Sequence, residues 1–322
     1  MDKLDKDTFK RFKLIQKMVN KYPVRKFDTS EINTIKDAYQ EYVPKYIIVD
    51  KNLQFEDNQF VDKELMAEIK QMKHYIHITT DTVDIKISYF DISETLITRI
   101  YSIVLLFQKL YGMKKVILII ALATIKREIN KKIIGTLAVN GGATDGVTIE
   151  LYRGQEILKV LCHELCHFYK LDCHQINKNK HQVFDKFNIK NDDTITLSLS
   201  ESLNEYMAMI HHIALISYYT KKSPLLIYHY EKIWSLYQIC KILNHNGMKK
   251  FEDLYEKKFE QETNVFSYYI IKFFLFWKLD NTCTIKNIND ILADKEIIEV
   301  INENIAGVYD KGLTMTLFEL SK

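Results

Sequence analysis

Residues that interrupt regular structure are scarce: 322 residues contain only 9 glycines and 3 prolines. That scarcity excludes collagen-like and low-complexity chains and favours long helices over a many-stranded barrel or sandwich. The five cysteines (Cys162, Cys166, Cys173, Cys240 and Cys283) are odd in number and lack the spacing of a small disulfide-bonded domain, which points to a reducing compartment. Charge of one sign is also missing. Lys and Arg number 45 against 42 Asp and Glu, so the net +3 gives no electrostatic footprint for nucleic acid or a membrane surface. The short basic runs Lys178-Asn179-Lys180 and Lys221-Lys222 read as solvated surface. The longest apolar runs, 116–123 and 270–277, fall short of the ~20 residues that span a bilayer. The N-terminal MDKLDKDTFKRFKL has no apolar signal-peptide core. The expectation is a soluble, intracellular, cytoplasmic protein with neither membrane nor nucleic acid as partner.

A 47% hydrophobic composition is ample for a sizeable core and excludes disorder. Residues 1–44 read as an N-terminal helical segment, with an N-cap at Thr29 or Ser30. Residues 45–172 read as α/β: short strands at 45–50, 74–80 and 83–90, a helix at 93–112 ending at Gly112, and a fully buried strand at 114–123. Five of the nine glycines then fall between Gly135 and Gly154. That stretch reads as an extended segment, a glycine turn and the strand TIELY, leading into an amphipathic helix at 155–171. After a polar loop (172–196), a second helix starts near Ser198 or Ser200, and helical periodicity dominates 173–322. The fold class is α+β, with the functional candidates where its two halves meet.

His163-Glu164-Leu165-Cys166-His167 is the motif HExxH. On a helix, positions i and i+4 share a face, so both imidazoles can reach one Zn²⁺. Glu164, rotated by roughly 100°, can lean over the ion and take a proton from its water. A separate apolar stripe (Ile157, Leu158, Leu161, Leu165, Phe168) completes the core face without the histidines. A catalytic zinc needs a third protein ligand and one open position. Cys173 lies ten residues beyond His163 in the metzincin register, but Lys170 replaces the glycine that arrangement needs, and His174 is one residue out of register. The second helix is the better source: Glu201 and Glu205, at i and i+4, place two carboxylates one turn apart. Glu201 would bind the metal and Glu205 would accept the other ring N–H of His163. Cys162 and Cys166 read as buried structural thiols.

The pair HELCH and ESLNEY resembles the gluzincins, zinc peptidases whose third ligand is a glutamate on the next helix. Ser200–Tyr206 loosely follows the Asn-Glu-Gly-Phe-Ala-x-Tyr pattern of the large zinc aminopeptidases, with Ser200 in place of Asn. The 33 residues between His167 and Glu201 make a longer connection than in thermolysin. The resemblance implies a zincin-like fold with a cleft between its halves and an edge strand that pairs with the substrate backbone. Leu137–Ala143 occupies that place, with Asn140, Gly141, Gly142 and Ala143 as substrate-binding residues. The acidic Gly-Ala-Met-Glu-Asn anchor of aminopeptidases is missing, so trimming of free N-termini is not expected. In blocks across 135–275, including VNGGAT, HELCHFYKLD and TNVFSYYIIK, the chain also resembles the little-characterised zinc metallopeptidases of large DNA viruses, which implies a host-cytoplasm or virion setting. For the group that stabilises the oxyanion, the resemblance favours Tyr268 or Tyr269 over His229 and His212, and His211-His212 reads as surface or capping.

The expected function is a zinc-dependent peptidase with one Zn²⁺ per chain, His163, His167 and Glu201 as ligands, and a peptide or protein substrate. The competing expectation is an inactive zincin-fold structural or binding protein, such as a virion component, with Cys173 or His174 as fourth ligand of a structural metal.

Overall fold

The structure is a computed structural model that describes residues 3–55, 60–171, 180–191, 198–278 and 288–321. Six strands form one open mixed sheet: β1 (Ile47–Val49), β2 (Tyr75–Thr79), β3 (Val83–Ser88), β4 (Val116–Ala121), β5 (Gly142–Thr144) and β6 (Thr148–Leu151). Their spatial order is β1-β2-β3-β4-β6-β5. Strands β3, β4 and β6 run parallel, while β1, β2 and β5 each pair antiparallel with their neighbours. A parallel β3–β4 pair needs a crossover, and the apolar helix α4 supplies it. In chain order the early helices are α1 (Lys6–Lys21), α2 (Ser30–Ala38), α3 (Lys63–Ile69) and α4 (Glu94–Tyr111). Ser93 caps α4 through its hydroxyl, and the N–H of Gly112 closes the other end on Gln108. Strand β4 is not fully buried: Val116, Leu118 and Ile120 are, whereas Ile117 and Ile119 on its other face are half-covered.

Leu137–Val139, expected to be extended, instead lies in the helical turn α5 (Thr136–Val139). The buried Arg153 guanidinium donates to the Leu137 carbonyl (3.0 Å), which holds that turn in place. Only Gly142–Thr144 enters the sheet, as its terminal strand.

The remaining helices are α6 (Ile157–Phe168), α7 (Lys180–Lys186), α8 (Ser200–Thr220), α9 (Pro224–His245), α10 (Lys272–Lys278), α11 (Ile288–Leu292) and α12 (Lys295–Asn302). A π-helical turn, Phe266–Ile271, runs directly into α10. This half is not all helical, because β7 (Ile189–Asn191) pairs in parallel with β8 (Phe259–Gln261). Helix α1 packs on α9, α2 on α8, and α6 along α8. One hydrophobic cluster runs from Leu4 to Leu320, and a smaller one around Leu65, Met72 and Tyr152 lies beside it.

The segment 309–321 crosses this core as an extended strap, with Leu313, Thr316 and Leu317 fully buried. Buried backbone N–H groups outside a ladder need acceptors, and buried carboxylates provide them. Glu156 accepts from Met315 (2.8 Å) and Thr316 (2.7 Å), and Glu231 accepts from Leu317 (2.9 Å). Arg11 on α1 donates to the Leu317 carbonyl (3.2 Å) and to Glu319 (2.7 Å). Among the described residues, no helix is long and apolar enough to cross a membrane.

His211 and His212 are buried rather than at the surface, because α8 is covered on nearly every side. His211 stacks on Phe107 and bonds the Tyr111 hydroxyl (2.7 Å), and His212 bonds the Phe318 carbonyl (3.0 Å). Burial pushes both imidazoles down to about 4. The unfolded chain takes up these protons near pH 6.5, so acidification from there to pH 4 costs stability, roughly 3 kcal/mol per histidine. A titration followed by NMR should find both rings neutral from pH 7 to pH 5 in the folded protein. Titration of either near its ordinary value would contradict their placement.

Candidate metal centre

Helix α6 begins at Glu156, whose φ of 57° is left-handed and unfavourable for a residue with a side chain. An ion pair with Arg127 and the two strap N–H groups hold its carboxylate there. Ile157, Leu158, Leu161, Leu165 and Phe168 then bury one face, as their spacing predicts, and Cys162 and Cys166 are fully buried thiols. His163, Glu164 and His167 face a cleft of about 880 Å³ on the other side.

Helix α8 lies along α6, and Asn204 ties the two together by donating to the His163 carbonyl (3.0 Å). Glu201 Oε2 stands 3.2 Å from His167 Nε2 and 3.4 Å from His163 Nε2. Two atoms bound at 2.0–2.1 Å to a tetrahedral ion lie ~3.3–3.4 Å apart. The two distances to Glu201 match that spacing, all three donor atoms lie within 4.8 Å of one another, and these residues could hold one ion. Hydrogen bonds from His163 and His167 outweigh burial and hold the Glu201 carboxyl well below the usual range. Burial pulls His163 down, but Glu201 and Glu205 outweigh it and leave its pKa raised. Cys173 and His174 lie outside the described residues.

Glu205 is fully buried and takes the other nitrogen of His163, with Nδ1 to Oε2 at 2.9 Å. It has two further partners that the spacing of residues did not suggest. Lys159, one turn before His163 on α6, bonds the same oxygen, and Lys272 at the start of α10 lies 3.5 Å from Oε1. Burial alone would raise Glu205, but the two ammonium groups and His163 hold it ionised. Lys159 also contacts Met315 Sδ (3.1 Å) and Lys272 donates to the Met315 carbonyl (3.0 Å), so the strap reaches the site. A lone lysine in the apolar runs ILKVL and YYIIKFFLFW was the available signal for this pair.

Glu164 is 5% exposed and lines the cleft. A Cβ on Gly142 would sit 3.0 Å from its Cγ and 2.9 Å from the Glu150 carbonyl, so glycine is what lets β5 approach this carboxylate. Gly141, Gly142 and Ala143 line the cleft with it. Asn140 also lines it, although its side chain is tied to Thr263 (2.9 Å) and the Phe60 carbonyl (3.3 Å). Tyr268 lines the cleft, with its ring edge-on to His163 at 5.8 Å. Burial and the charges of Glu201, Glu164 and Glu205 push its hydroxyl well above 10, which keeps it a donor at neutral pH.

Tyr269 does not join the site. Its hydroxyl is buried without a partner, and Lys272 Nζ lies 5.6 Å from its ring centroid. His212 belongs to the core, and His229, beside Tyr230 on α9, is not among the residues lining the cleft.

No protein-family model, curated protein or solved structure matches this chain. What the site can do follows from its own geometry.

The wild-type protein should bind one divalent ion per chain by elemental analysis, and Glu201→Ala should weaken that binding at least ten-fold. Because His163 and His167 must lose their protons to bind a metal, affinity should fall as pH drops, and uptake should release protons into a weak buffer. Glu205→Ala leaves two lysines buried without their carboxylate and should lower stability by about 3–5 kcal/mol in denaturant melts. A shift below about 1 kcal/mol would show that the network contributes little.

Proposed function

We propose that the protein is a zinc-dependent peptidase whose hydrolytic base is Glu164. The observation that carries this reading is the state of that carboxylate. It is almost wholly buried, yet no described group donates a hydrogen bond to it, and it lies beside three converging metal-ligand atoms. A carboxylate placed for stability would be satisfied, as Glu156 and Glu231 are at both oxygens. A buried, open carboxylate in a cleft is the pattern of a functional group. Two imidazole nitrogens and one carboxylate oxygen suit zinc among the common divalent ions. The likeness of HELCH and ESLNEY to the gluzincin motifs supports the same choice.

Zinc bound there would lower the pKa of a coordinated water to about 7 and polarise a carbonyl. The chain's own groups supply the rest. Burial raises the Glu164 carboxyl, with His163 and His167 opposing, which makes it a stronger base than an exposed carboxylate. It takes the proton of the attacking water and returns it to the leaving amine. Glu205 fixes the ring orientation of His163 through Nδ1. Tyr268, a neutral donor lining the cleft with its ring against His163, stabilises charge developing on the carbonyl oxygen. Among the described residues strand β5 pairs only with β6, and its residues border the cleft, so an extended peptide can add there by backbone pairing.

With an unfolded protein such as casein as substrate, Glu164→Gln should keep full metal content and lose about 10²–10⁴-fold in turnover. Tyr268→Phe should also keep the metal and lose about 10²–10³-fold in kcat. Undiminished hydrolysis by Glu164→Gln would sink the mechanism.

A further inference from the structure

One cation in the cleft wall has an unanswered hydrogen-bonding face. Arg127 is 1% exposed and lines the cleft. Its Nη1 pairs with Glu156, whose other oxygen is taken by the strap N–H groups. Its Nε is buried without a partner, and Nη2 has no hydrogen-bond acceptor among the described residues. Nη2 lies against Gly141, where any Cβ would collide with it and would also press on Val160 Cγ2 at 3.2 Å. Gly141 and Val160 both line the cleft, and Val160 is one turn before Glu164 on α6. The guanidinium therefore stands near Val160, the residue one helical turn before the proposed base, in the wall of the same cleft.

The charge around it is also unbalanced. Among the described residues Arg153, the neighbouring buried guanidinium, bonds only the carbonyls of Ile125 (3.4 Å) and Leu137 (3.0 Å), so of these two cations Arg127 alone has a carboxylate there. Burial, and then the charge of Arg127, push Arg153 down to about 9. A buried cation with open donors beside a second one favours an incoming anion, and a planar fork suits a carboxylate.

We propose that Arg127 receives a carboxylate of the bound peptide, either an Asp or Glu side chain or the peptide's own C-terminal carboxylate, so that the cleft selects acidic peptides. This rests on the peptide-cleaving reading of the same cleft.

The test uses zinc-loaded Glu164→Gln protein and four N-terminally labelled hexapeptides, with binding read by fluorescence anisotropy. One peptide is neutral and amidated, one is amidated with an internal Glu, one is neutral with a free C-terminus, and one is amidated with an internal Lys. At least one carboxylate peptide should bind about 10–100-fold tighter than the neutral amide, and the Lys peptide no tighter than that amide. Which one gains identifies the source, side chain or terminus. Arg127→Gln should abolish the advantage. Arg127→Lys leaves Glu156 a cation and should reduce it while keeping the wild-type melting temperature, which covers failure of the Gln variant to fold. Equal binding of all four peptides, or an advantage surviving in both variants, would overturn the proposal. Cleavage of the same peptides by protein with intact Glu164 separates the two readings. A carboxylate preference without any cleavage would overturn the peptidase and keep the Arg127 site, whereas cleavage without preference would do the reverse.

Discussion

The fully buried Glu205 carboxylate organises the centre of this molecule. Removing such a charge from water is expensive unless opposite charges and hydrogen-bond donors surround it. Here the partners come from two other elements: His163 and Lys159 on α6 meet Oε2, and Lys272 at the start of α10 stands 3.5 Å from Oε1. Because the pairing fails if any of these elements moves, helix α6 is locked to the helical half through Nδ1 of His163, the nitrogen turned away from Glu201. The orientation of His163, and with it the spacing of the three donor atoms, depends on that lock.

Glu156 performs the same task at the N-cap of α6. Its left-handed backbone is tolerated because Arg127 and the strap N–H groups hold its carboxylate. The strap thus contributes to the site without supplying a reactive group: Met315 meets both buried lysines and borders the cleft. Charged groups in the core and the shape of the cleft are parts of one construction.

Beside these paired carboxylates, two groups keep a hydrogen-bonding face open toward the cleft. Glu164 and the outer face of Arg127 both border the cleft, where a bound molecule can reach them. Glycine makes both placements feasible, since Gly142 admits Glu164 to the strand and Gly141 admits the guanidinium. The glycine density visible in the sequence therefore reflects close approach more than a turn. The extended reading of Leu137–Val139 failed because a distant arginine, Arg153, stabilises a helical turn there.

Local spacing in the sequence determined the parts governed by a single helix. His163, Glu164 and His167 share one helix with fixed angular separations, and Glu201 and Glu205 share another, so their facing directions were legible before any fold was known. The strands at 75–79, 83–88 and 116–121 were legible for the same reason, alternation or runs of apolar residues over a few positions. Only the tertiary structure decided the rest. That Tyr268 and not Tyr269 borders the cleft follows from how the turn Phe266–Ile271 packs against its neighbours, which the sequence of that turn does not state. The burial of His211 and His212 follows from the surroundings of α8, and the pairing of Lys159 and Lys272 with Glu205, like that of Arg127 with Glu156, joins segments 29 to 67 residues apart. Helix geometry repeats within a few residues and so is written locally, whereas the partner of a buried charge is set by whichever distant segment packs against it.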